Sequence, residues 1–291
     1  MEKTGEGRQG LTRLGPAQPR SPVILSVPHA GRFYPPALIE NSRCTPAALR
    51  SLEDRHVDGL VMPLAERGYT IIVTRTARAW IDINRSEREI DPEMIFPQPV
   101  RAGLDASVKV RGGLGLVPRR LAGHGNIYRR PISNTDLAAR IRDHHRPYHA
   151  ALSDALDAAR SRYGAALLLD CHSMPPLAPV DRARGADIVI GDRDGRSAAP
   201  AYSARAATVC REEGFSVARN EPYAGGYILA RHGRPEREIH ALQFEICRSL
   251  YLDFALDRPG RRFDAIAALV GRVADALTET LLSPAQMLAA E

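Results

Sequence analysis

Lysine is nearly missing from this chain: of its 40 basic residues only Lys3 and Lys109 are lysine, and the rest are arginine. The formal net charge is +6. Arginines alternate with acids along most of the chain, and no basic block carries interleaved aromatics, so the composition argues against a nucleic-acid surface. A positive pocket for a small acidic substrate is the better use of the surplus. Cysteine is also scarce. Cys44, Cys171, Cys210 and Cys247 lie far apart without a C-x-x-C pair, which excludes a disulfide framework and a structural zinc cluster. Cys171 and Cys247 sit inside apolar runs and read as small buried hydrophobes. No run of about 18 apolar residues is available to span a bilayer. The N-terminus MEKTGEGRQGLTRLG has no apolar stretch of the secretory kind, and the expectation is a soluble, cytoplasmic protein without membrane or nucleic-acid partners.

What is present reads as one α/β domain from 21 to 291, preceded by a mobile tail over 1–20 that is rich in Gly, Pro, Gln and charge. PVILSV at 22–27 is a continuous apolar run of the kind buried on both faces of a sheet. Thr45-Pro46 opens one or two amphipathic helices that end at Gly68, and YTIIV at 69–73 is the next strand. Residues 90–130 carry many Pro and Gly and read as a long loop excursion, which in a compact domain is usually functional. A helix is predicted over 135–163 with a kink at Pro147. Strands at 165–169, 187–190 and 240–246 alternate with helices at 200–213 and 265–282. The fold class is therefore a mixed α/β sheet layered by helices.

Ligands of such sheets bind beyond the carboxyl ends of the strands, so polar residues that directly follow apolar strands deserve scrutiny. His29 after PVILSV, His172 after ALLLD, and Glu245 near the end of HALQFEI meet that condition. Two histidines and one carboxylate make a zinc site with a fourth position open for water. The carboxylate would come from Glu53 or Asp54 in LEDRHVDGL, with Asp54 preferred. Alone, a strand-end histidine is more often a hydrogen-bonded structural residue, and Glu53, Asp54 and Asp58 could be acids favoured at a helix start. Glu245 is harder to dismiss, because a carboxylate between Phe244 and Ile246 is costly to bury without a task; it is the candidate general acid and base. Asn84 and Arg85 in WIDINR, and Arg248 three residues after Glu245, are candidates for holding a substrate carboxylate, against the plainer reading of Arg–Asp pairs with Asp82 or Asp253. Gly225-Gly226-Tyr227 permits close backbone approach to a ligand or is a plain turn. GGLGLVPRR at 112–120 does not match a P-loop.

The ordered segments SVPHAG (26–31), EDRHVD (53–58), IDINR (81–85), IYRR (127–130), RPYHAAL (146–152), DCHS (170–173), GGYI (225–228) and LQFEICRSLY (242–251) resemble the N-formylglutamate amidohydrolase family over about residues 21 to 255. The resemblance implies a three-layer sandwich related to zinc carboxypeptidases and aspartoacylase. It also implies hydrolysis of N-formyl-L-glutamate to formate and L-glutamate in histidine degradation. By motif, His29, Asp54 and His172 would hold Zn2+, and Glu245 would be the acid–base glutamate. Asn84, Arg85, Arg248 and Tyr227 would bind the substrate. The sequence departs from the carboxypeptidase H-x-x-E pattern, since the residue three after His29 is Arg32. A zinc peptidase or deacylase of N-acylated or cell-wall peptides, and a non-catalytic protein that captures acidic metabolites, are the rival readings.

Overall fold

A computed structural model describes residues 10–98, 103–178 and 185–283. Seven strands form one mixed sheet: β1 (Leu11–Leu14), β2 (Val23–Val27), β3 (Thr70–Thr74), β4 (Ala166–Met174), β5 (Ile188–Gly191), β6 (Val217–Arg219) and β7 (Ile239–Cys247). Their spatial order is β1-β3-β2-β4-β7-β5-β6. Every residue of β2, β4 and β7 is buried, as the continuous apolar runs require of strands covered on both faces. β2 pairs with β4, and β4 with β7, in parallel, whereas β5 runs antiparallel to β7. Helix α5 (Phe263–Leu281) packs on this sheet through Ile266, Leu269, Val270, Val273, Ala274 and Leu277, whose spacing of three and four residues makes one apolar stripe. Helix α3 (Pro200–Glu212) packs beside it. All four cysteines are buried and form no disulfide, and burial pushes the Cys171 and Cys210 thiols up. Among the described residues, no helix is long and apolar enough to cross a membrane.

The chain packs into two compact units, each assembled from separated stretches. Among the described residues, one comprises those within 10–12, 28–53 and 73–150, and the other those within 13–27, 54–72 and 151–283. Three expectations change. First, Leu11–Leu14 is an ordered strand within the stretch read as a mobile tail, while residues 1–9 lie outside the described residues. Second, the helices expected between Thr45 and Gly68 break into short turns at Pro46–Leu49, α1 (Val57–Val61) and Pro63–Glu66. Thr45 does cap the first, its hydroxyl accepting from Ala48 N at 3.2 Å. Extended backbone at Glu53 and the missing N–H of Pro63 separate the pieces. Third, the helix predicted over 135–163 is Asn134–Arg140, a π-turn at Ile141–His145, and α2 (Arg146–Tyr163). Pro147 cannot donate a helical hydrogen bond, and the wider turn before it absorbs the defect. Within 90–130 the described residues include short ordered pieces, among them a turn at Pro92–Met94 tied by Arg119 to Asp91 at 2.6 Å.

Candidate active site

In the first unit, His29 stands two residues beyond the end of β2 and is buried. Gly31 is required just after it: a Cβ there would stand 2.2 Å from the Thr76 carbonyl oxygen. His29 Nε2 lies 2.7 Å from Asp82 Oδ1, and the fully buried Asp82 also accepts from Arg78 Nε at 2.8 Å and from the Asn84 backbone N–H at 2.9 Å. Burial alone would raise the Asp82 pKa, but Arg78, Arg85 and His29 outweigh it and hold the carboxyl well below the usual range. The segment carrying Asp82, Asn84 and Arg85 is clamped. His145 Nε2 meets the Arg85 carbonyl at 2.8 Å and His149 Nε2 meets the Ile83 carbonyl at 3.1 Å, both histidines being fully buried on the π-turn and α2. Arg85 itself donates from Nε to the Leu114 carbonyl at 2.9 Å and from Nη1 to the Asn84 carbonyl at 2.6 Å. Its guanidinium therefore frames the segment. Glu53 accepts a short hydrogen bond from the Tyr34 hydroxyl.

In the second unit, otherwise apolar strands carry a polar face. In register, Ser26 stands opposite Asp170, Asp170 opposite Gln243, and His172 opposite Glu245. Residues two apart share a strand face, so Asp170, His172, Gln243 and Glu245 form one buried polar quartet at the carboxyl ends of β4 and β7. Ser26 Oγ donates to Asp170 Oδ1 at 2.7 Å, and Asp170 Oδ2 lies 2.9 Å from His172 Nε2. His172 Nδ1 lies 2.9 Å from Asp54 Oδ2, and Arg248 Nη2 donates to Asp54 Oδ1 at 3.2 Å. Burial would lower the His172 pKa, yet Asp170 first, with Asp54 and Glu245, raises it well above its ordinary value. Asp54 reaches this position from a turn in which His56 adopts a left-handed conformation, φ 61°, with its Nε2 3.1 Å from the Asp257 carbonyl. Of the two carboxylates left open by the sequence, it is Asp54 that meets His172. Arg248 is anchored through Nε to Ser173 Oγ at 3.1 Å.

Tyr227 opens helix α4 (Tyr227–His232) and accepts from Arg231 Nη1 at 2.9 Å. It lines a cavity of about 520 Å³ together with Ser153, Asp157, His232 and Arg234, a lining that includes none of the other residues singled out from the sequence. Asp82, Asp170, Gln243, His145 and His149 are the residues to which sequence reasoning gave no site role. The signal for two of them was visible: a polar residue two positions before His172 and before Glu245, inside strands with no exposed residue.

Comparison with known proteins adds the chemistry. A family model described as N-formylglutamate amidohydrolase matches residues 21–252. The chain belongs to the N-formylglutamate amidohydrolase family. As a member, it is a hydrolase of amide bonds. It is 29% identical over 244 residues to an N-formylglutamate deformylase of Pseudomonas putida, covering 81% of this chain and 84% of that one. An N-formylglutamate deformylase of Pseudomonas aeruginosa is 28% identical over 242 residues, with 80% and 83% covered. Among solved structures, an N-formylglutamate amidohydrolase from Ralstonia eutropha JMP134 superposes with a TM-score of 0.86 at 33% identity, covering 94% of this chain and 98% of that one. A protein from Agrobacterium tumefaciens shares the fold with a TM-score of 0.68 at 17% identity, covering 94% and 95%.

Proposed function

We propose that this N-formylglutamate amidohydrolase family member hydrolyses N-formyl-L-glutamate, or a close N-acyl amino acid, to formate and L-glutamate, using zinc held by His29, Asp54 and His172. One observation carries the reading: each histidine is backed at Nε2 by a buried carboxylate, Asp82 for His29 and Asp170 for His172. Such backing fixes the ring's orientation and makes Nδ1 the nitrogen that would meet a metal. The donor chemistry fits zinc, since the three buried residues offer two imidazole nitrogens and a carboxylate oxygen. The names of the Pseudomonas and Ralstonia relatives support the substrate.

When bound, zinc would polarise the formyl carbonyl and bring the pKa of water to about 7. The chain's own residues do the rest. Glu245 takes a proton from the attacking water and returns it to the departing amine nitrogen. The water oxygen ends in formate, the C–N bond breaks, and glutamate leaves as the free amine. Arg248, held by Ser173 Oγ, offers a planar fork to a substrate carboxylate, and Asn84 supplies a further polar contact while Arg85 frames Asn84. The same reading puts the enzyme in the cytoplasm, at the end of a histidine-degradation route.

The test is a panel of N-formyl and N-acetyl amino acids on zinc-loaded protein, with formate and free amino acid measured together. Equal release from N-formyl-L-glutamate supports the proposal. Release of amino acids from N-acylated or cell-wall peptides without formate would replace it by a peptidase or deacylase, and binding of acidic metabolites without turnover would replace it by a capture protein.

A further inference from the structure

Gln243 is buried in β7, two residues before Glu245 and on the same strand face. Its amide is used at both ends. Nε2 donates to Glu245 Oε1 at 3.0 Å, and Oε1 accepts from the Gly226 backbone N–H at 3.1 Å. The Gly226 N–H can only donate, so it fixes which end of the amide is oxygen and turns the N–H group toward the carboxylate. The turn on the far side requires glycine. Gly225 has φ +124°, and a Cβ there would stand 2.6 Å from Leu229 Cδ2 of α4.

We propose that Gln243 is the positioning residue for Glu245: it ties one carboxylate oxygen to the Gly225-Gly226 turn at the start of α4 and so fixes the direction from which the proton is moved. This rests on Glu245 being the acid–base group. A buried amide is costly unless both ends are paired, and a leucine or methionine of similar volume would fill the space with no such cost. The amide therefore contributes orientation that packing alone would not supply. A shift of about 1 Å in a reacting group costs up to roughly 100-fold in rate.

Full-length, zinc-loaded Gln243→Met and Glu245→Ala variants and their double variant test this through formate release from N-formyl-L-glutamate. Gln243→Met should lower kcat by roughly 10- to 100-fold, with KM within about threefold and zinc content unchanged. In the Glu245→Ala background the same substitution should change the residual rate by less than about twofold, because the group being positioned is gone. Equal losses in both backgrounds would show a merely structural role, and an unchanged kcat in the single variant would show no role; either overturns the proposal. If Gln243→Met does not fold, Gln243→Leu is compared instead, since it removes the same N–H donor without placing a second carboxyl beside Glu245. Wild-type turnover by Glu245→Ala would remove the acid–base assignment itself, and it would do so whatever Gln243 variants show.

Discussion

Replacing Asp170 by Asn isolates what the backing carboxylate does for His172. The side chain keeps its shape; with its amide oxygen toward His172 Nε2, its N–H2 group faces Ser26 Oγ, which then accepts where it now donates at 2.7 Å. What changes is the bond to His172 Nε2 at 2.9 Å, from a charge-assisted contact to a neutral one. Hydrogen bonds to charged groups contribute about 1.5–3 kcal/mol and neutral ones about 0.5–1.5, so the difference is roughly 1–1.5 kcal/mol. At 1.4 kcal/mol per tenfold, zinc should bind about tenfold more weakly. That figure is at the lower edge of the 10- to 100-fold range known for partners of metal-bound histidine. The assay is competition for zinc with a chromogenic chelator, read beside the melting temperature of the zinc-free variant. Asp82→Asn should do more harm, because Asp82 also balances Arg78 at 2.8 Å, and its loss leaves that guanidinium beside a neutral amide. An Asp170→Asn protein that binds zinc as tightly as wild type would refute the reasoning.

Arg248→Lys loses the planar fork and the Nε contact to Ser173, and should raise KM for N-formyl-L-glutamate roughly tenfold with a smaller effect on kcat, as steady-state kinetics would show. Leu269→Ala removes a fully buried side chain from the apolar stripe of α5 and should cost about 2–5 kcal/mol in denaturant unfolding while leaving the KM of the surviving native fraction unchanged. Asp192 is held below its ordinary pKa: burial opposes ionisation, but Asn220, the Gly195 N–H, Ser203 and Arg219 outweigh it. A depressed carboxyl contributes stability that is present above its unfolded pKa of about 4 and is lost as pH falls through the folded value. Asp192→Asn should therefore melt lower than wild type at pH 7, with the gap narrowing below pH of about 4.

How far the sequence carried the reading depended on whether the information was local. Continuous apolar runs such as VILSV and ALLLD announce strands buried on both faces, and the periodicity of 265–282 announces α5. Polar residues at the ends of those runs then led to His29, His172 and Glu245. Three other kinds of feature are not local. Leu11–Leu14 is too short to show a pattern, and it is strand because a neighbour pairs with it. The π-turn at 141–145 comes from a missing Pro147 N–H, and its His145, with His149 of α2, serves carbonyls about 60 residues earlier, at Arg85 and Ile83. The choice between Glu53 and Asp54 depends on a turn through left-handed His56 that no periodicity encodes. Asp170 and Gln243 were legible in principle, as polar residues one strand period before His172 and Glu245.

The central claim is that His172 serves as a zinc ligand in an amide hydrolase, and metal content measured beside formate release tests it most directly. Wild-type protein should hold close to stoichiometric zinc and release formate and glutamate from N-formyl-L-glutamate in equal amounts, while His172→Ala should lose zinc and turnover together and stay folded by circular dichroism. A folded, zinc-free His172→Ala protein that releases formate at the wild-type rate would contradict the account.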